Sequence, residues 1–111
     1  MRWLILLSIF GLAACHGDGR QREAKALIAA RCATCHIVPG VSSAVGRVGP
    51  PLAGIAAQQI IAGRYANDRA TLIRWIMHPQ AMQPGSAMPE MGITESQAAL
   101  IATYLETLDK P

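Results

Sequence analysis

Cys32-Ala33-Thr34-Cys35-His36 is the segment in which residue type and spacing converge on one chemistry. Two thiols three positions apart, at the end of a helix, can reach the two vinyl groups on one side of a porphyrin. Each bonds there as a thioether. The histidine next door is then delivered beneath the iron as an axial ligand, so C-x-x-C-H reads as a site for covalent attachment of one haem. Other chemistries ask for surroundings that the sequence lacks. A thiol–disulfide redox centre of this spacing needs a neighbouring βαβ pattern, and no alternating strand pattern occurs in the chain. Structural zinc wants four protein ligands; Cys32, Cys35 and His36 supply three, and His78 stands alone without a second motif. A disulfide between Cys32 and Cys35 would close a loop too small to add much stability.

The third cysteine belongs to a different context. Arg2 precedes an apolar run from Trp3 to Leu12 that only Ser8 and Gly11 interrupt, and Ala13, Ala14 and Cys15 follow. The run is too short to span a bilayer and reads as an export signal over residues 1–14. Leu12-Ala13-Ala14-Cys15 resembles the lipobox of bacterial lipoproteins. That resemblance implies cleavage before Cys15 and lipidation of its sulfur; the competing reading is an ordinary signal cut after Ala14. Export agrees with the C-x-x-C-H reading, because covalent haem attachment takes place outside the bacterial cytoplasm. Acylated Cys15 would anchor the chain on the periplasmic side without a transmembrane helix, since several lipid chains give stable attachment. Whether the inner or the outer membrane is meant stays open.

Composition narrows the rest. Of 111 residues, 51% are hydrophobic and 15% charged, which excludes a disordered tail. Lys and Arg exceed Asp and Glu by 10 to 7, and loss of Arg2 with the signal reduces the net charge from +3 to +2. No basic run survives, so neither nucleic acid nor a polybasic membrane contact is expected. Three aromatic residues remain after residue 14, namely Tyr65, Trp75 and Tyr104. A chain of that size has a limited core, and a porphyrin would supply the missing aromatic mass.

The elements that position the motif follow from periodicity. Residues 15–21 are polar and glycine-bearing and read as a flexible tether; residues 22–111 read as one domain. Ala24, Leu27, Ile28 and Arg31 fall at helical spacing just ahead of Cys32. Gly40, Gly46, Gly49 and Pro50 make the segment from Pro39 to Pro51 a loop. A short helix is predicted over Leu52 to Ala62, ended by Gly63, and a second over Arg69 to Met77, stopped by Pro79. The segment from Pro79 to Gly92 has no periodicity. Thr94 and Gln97 form the sequence signature of a capping box, after which Ala98, Ile101, Leu105 and Leu108 recur at helical spacing. The expected class is all-α, three or four helices with long loops.

From Arg22 to Asp109 the chain resembles class I cytochromes c. The resemblance rests on Cys32–His36, then Gly49-Pro50-Pro51-Leu52, then Met88-Pro89 ahead of the terminal helix. It implies the cytochrome c fold around one haem c, held through Cys32 and Cys35. It also implies that the Pro50 carbonyl accepts a hydrogen bond from His36, a contact that fixes the imidazole and raises its basicity. Met88, which precedes Pro89, is the implied sixth ligand opposite His36. Met77 reads as a core residue and Met91 as a packing residue; Met82, in the loop, and Met91 are the alternative methionine ligands, and His78 is the rival ligand. A thioether is soft, favours ferrous iron and raises the potential relative to two histidines. Ala24 and Ile28 occupy positions that pack on the C-terminal helix in that family, here through Ile101 and Tyr104. Trp75 resembles a tryptophan that donates its indole N–H to a haem propionate; plain core packing is its other role. The arginine and tyrosine that related bacterial sequences often carry are replaced by Gln58 and Ile60, so the propionate contacts are left open.

The expected function is single-electron transfer in a respiratory chain by a carrier that is not itself an enzyme. Its redox partners would be a quinol-oxidising complex or dehydrogenase as donor and a terminal oxidase as acceptor. No small-molecule substrate is implied. Paired carboxylates, a glycine-rich phosphate loop and a Ser/His/Asp set are all missing from the sequence. A haem enzyme or gas sensor with a labile sixth ligand is the first alternative, and a thiol redox module without haem the second.

Overall fold

The computed structural model describes residues 15–111. The expected export signal at residues 1–14 lies outside them, as do the side chains of Cys15 and His16. Among these residues four helices carry the fold: α1 (Cys15–Arg31), α2 (Arg69–Met77), α3 (Pro79–Met82) and α4 (Glu95–Leu105). Two strands of two residues each, β1 (Ile60–Ile61) and β2 (Tyr65–Ala66), pair antiparallel as a small hairpin. Among the described residues no helix is long and apolar enough to cross a membrane.

α1 and α4 pack on each other and α2 packs on α4. Apolar spacing along the chain explains the arrangement. Ala24 and Ile28 of α1 are buried, as are Ala98, Ile101, Ala102, Tyr104 and Leu105 of α4 and Leu72 and Ile76 of α2. These belong to one hydrophobic cluster, joined by Val38, Val41, Ala44 and Ile55 from the loops. Small residues on the facing stripes let two helix backbones approach, while Ile28 and Ile101 fill the space between. Tyr104 reaches past the helix pair: its hydroxyl donates to the Pro39 carbonyl at 2.5 Å, and the Lys25 ammonium lies 5.7 Å from its ring centre.

Local signals set the helix ends. The Asp68 carboxylate accepts the Thr71 N–H at 2.8 Å and caps α2. Thr94 caps α4 in a complete capping box, its hydroxyl accepting the Gln97 N–H while the Gln97 side chain accepts the Thr94 N–H. Pro79 ends α2 and opens α3 as its first residue, where the missing N–H costs nothing.

Three segments differ from the sequence expectation. α1 already runs through residues 15–21, so the segment predicted as a flexible tether is helical here. Gly17 and Gly19 lower helix propensity by about 1 kcal/mol each without breaking the backbone, and a Cβ at either would meet nothing within 4 Å. The helix predicted over Leu52 to Ala62 is instead a 3₁₀ turn, Ile55–Ala57, leading into β1. The Asn67 amide explains it by donating to the carbonyls of Ile55 at 2.9 Å and Gln58 at 2.8 Å, taking acceptors that a continuing helix would use. Ala62, in the left-handed region at φ +51°, and Gly63 then turn the chain into β2. The third difference is α3, one helical turn inside a segment expected to be irregular throughout.

Candidate haem site

The C-x-x-C-H residues continue α1 as a closed turn. Cys32 N–H donates to the Ile28 carbonyl at 2.8 Å, and the Cys35 and His36 N–H groups both return to the Cys32 carbonyl, at 3.1 and 2.9 Å. Both thiols are free and half-buried. Burial, and secondarily the neighbouring Cys35, pushes the Cys32 thiol up to about 11. Cys32 is therefore a neutral thiol at physiological pH, which disfavours the thiolate chemistry of disulfide exchange.

The loop after the motif wraps back over it. Gly46 N–H donates to the Ala33 carbonyl at 3.0 Å, Gly49 N–H to Cys35 at 2.7 Å, and Leu52 N–H to Ile37 at 2.9 Å. Ile37 and Val45 form an isolated antiparallel bridge inside this wrap. Two glycines allow the approach. A Cβ at Gly46 would stand 2.1 Å from the Thr34 carbonyl oxygen, and one at Gly49 would stand 2.3 Å from Cε1 of His36.

His36 is oriented by that loop. Its Nδ1 lies 2.7 Å from the Pro50 carbonyl oxygen. A carbonyl only accepts, so Nδ1 carries the proton, and in the neutral ring Nε2 is left with a lone pair. Two uncombined thiols and an imidazole of fixed tautomer, all on one turn, form the donor set that a covalently attached haem requires. Among the described residues no group of three or more His, Cys, Asp or Glu side chains is placed to hold a metal ion by itself. The zinc reading through His78 thus has no geometry behind it: His78 is exposed, and its Nδ1 lies 3.6 Å from the Glu90 carboxylate.

The methionines differ in setting. Met77 closes α2 and packs on the core, and Met91 packs there as well. Met82 ends α3, and its carbonyl accepts from the Tyr65 hydroxyl. Met88 is half-buried in the irregular segment, its N–H on the Ser86 hydroxyl at 3.2 Å and its carbonyl on the Gln80 side chain at 2.8 Å. Trp75 packs against the core and against Tyr65, with ring centres 6.3 Å apart. The sequence marks Gly46 only as a breaker and Gly49 as a breaker and part of the Gly49–Leu52 motif, and it gives no sign that either touches the motif turn or that Gln80 matters. Close approach of backbone to a side chain leaves no periodic signal, and a single glutamine in a loop carries none.

The cytochrome c family profile matches residues 21–109. The chain belongs to the cytochrome c family. Membership implies electron transfer and covalent haem c, and Cys32 and Cys35 have the spacing that attachment uses. Members are typically electron carriers that work outside the cytoplasm. The fold of this cytochrome is similar to that of the c-type cytochrome SorU from Sinorhizobium meliloti, with a TM-score of 0.57 at 20% identity, covering 83% of this chain and 93% of that one. No curated protein matches the sequence.

Proposed function

We propose that this cytochrome is a monohaem electron carrier tethered by lipid on Cys15 at the periplasmic face of a bacterial membrane, serving a respiratory chain. The observation that carries the reading is the His36–Pro50 contact, which leaves Nε2 available on the same turn as two free thiols. Cys32 and Cys35 would tether the haem, and His36 and Met88 would ligate its iron. Bound haem supplies a one-electron couple. The chain's own contribution is to hold the imidazole in one tautomer and to offer the soft thioether of Met88, which together would leave the iron no open position. The Trp75 indole is assigned to a propionate. Residues 1–14 are the export signal and residues 22–111 the haem domain. The donor is a quinol-oxidising complex or a dehydrogenase and the acceptor a terminal oxidase, with the anchor raising local concentration near both.

The ferric absorption spectrum tests this. A weak far-red methionine–iron charge-transfer band is expected, absent in Met88→Ala and replaced there by ready binding of carbon monoxide in the ferrous state. An unchanged band in Met88→Ala removes Met88 as ligand. Ready carbon monoxide binding by the unaltered protein favours the enzyme or sensor reading.

A further inference from the structure

From Gln83 to Thr94 the chain has no regular secondary structure, so its buried backbone polar groups need partners from elsewhere. One half-buried side chain supplies several of them. The Gln80 amide nitrogen donates to the carbonyls of Ser86 at 2.6 Å and Met88 at 2.8 Å. Its amide oxygen accepts the Gly85 N–H at 3.1 Å, where φ of +81° at Gly85 reverses the chain. The Gln80 backbone N–H, in the first turn of α3 where helix donors are unmet, donates to the Glu90 carboxylate at 3.1 Å. The contacts therefore run to residues before, at and after Met88. Together with the Ser86 hydroxyl on the Met88 N–H, they hold the peptide groups on both sides of the Met88 side chain.

We propose that Gln80 is the positioning residue for Met88: its side-chain amide fixes the loop from which the thioether is presented, and so sets how readily an external ligand displaces it. The proposal rests on Met88 being the sixth ligand. A neutral thioether is a weak ligand for ferric iron, and a weak ligand holds its place mainly because its carrier is ordered in advance. Loss of the clamp frees the loop without removing the sulfur. The cost appears as competition from outside ligands. Pro79, directly ahead of Gln80, is fully buried and ties the start of α3 down in either case.

The test uses holoprotein variants Gln80→Ala and Gln80→Glu. Arg69→Ala is the control; it removes contacts to Glu106, Thr103 and the Ala99 carbonyl, away from the loop. Three quantities are read: the far-red band, the affinity of ferric haem for imidazole, and Tm. Loss of the two amide donations to the Ser86 and Met88 carbonyls, common to both Gln80 variants, is expected to tighten imidazole binding about tenfold and to weaken the band. Gln80→Glu keeps the side-chain length and the acceptor for Gly85, so it carries the comparison where Gln80→Ala yields no holoprotein. Arg69→Ala is expected to lower Tm and leave imidazole affinity unchanged. Unchanged imidazole affinity in the Gln80 variants, or an equal gain in Arg69→Ala, overturns the proposal. Met88→Ala separates the two assignments. If it abolishes the band while the Gln80 variants bind imidazole like the wild type, positioning fails and ligation stands. If it leaves the band, the ligand assignment falls and the positioning role with it.

Discussion

Gly49 leaves no room for a Cβ beside the imidazole of His36. A methyl group there would stand 2.3 Å from Cε1, 2.8 Å from Nδ1 and 2.9 Å from Nε2, so the ring must tilt or the loop must move. The ring is also bound to the Pro50 carbonyl one residue further on, so either response strains that hydrogen bond. Gly49→Ala is therefore expected to lower stability by about 1–3 kcal/mol, the usual cost of overpacking, and to shift the reduction potential. Thermal melts and redox titration of the holoprotein check both; a Gly49→Ala protein with wild-type Tm and potential would contradict the close approach. At the same scale, the high pKa of the Cys32 thiol comes first from burial and second from Cys35.

Elements are held by caps as well as by packing. Asp68 caps α2 through the Thr71 N–H, and that backbone hydrogen bond, followed by the bond to the Thr71 side chain, lowers its pKa below the ordinary 3.8. A depressed folded-state pKa stabilises the fold at pH values above the unfolded pKa. The contribution fades as pH falls from that value through the folded one. Asn caps equally well without titrating. The stability difference between wild type and Asp68→Asn is expected to be flat near neutrality and to move in favour of Asn below about pH 4. Paired melts down the pH scale measure it, and parallel curves throughout would show that the cap does not titrate. α4 needs no such test of pH, because Thr94 and Gln97 cap it without charge.

For the molecule as a whole, the question is what fills the centre. The cluster of buried side chains is aliphatic apart from Tyr104, with Tyr65 and Trp75 half-buried at its edge. Domains of this size bury only a modest share of their surface, and long loops add conformational entropy that the helix contacts must offset. A Cys32→Ser/Cys35→Ser chain, unable to hold haem covalently, is expected to melt without cooperativity. Calorimetry decides it: a sharp transition in that variant would show that the polypeptide core suffices alone. Anchoring is a property of the whole molecule too. Incorporation of a palmitate analogue is expected in the wild-type cell-bound protein and not in Cys15→Ala, and label persisting in Cys15→Ala would rule out lipid on that sulfur.

By itself the sequence determined whatever depends on neighbours close along the chain. Cys32, Cys35 and His36 lie within five residues, Thr94 and Gln97 within four, and the apolar stripes of α1 and α4 repeat each turn, so the attachment chemistry, the caps and the helical class were legible. Helical content between Leu52 and Ala62 was misread because the carbonyls of Ile55 and Gln58 are claimed by Asn67, a partner nine to twelve residues away. Which glycines face a ring, and which glutamine holds the Met88 loop, were decided by tertiary structure alone. The contacts of Gly49 with His36 and of Gln80 with Met88 exist only once separate segments meet. Spacing specifies what a helix turn can present, whereas the fit of a loop against it depends on the whole chain closing around the same core.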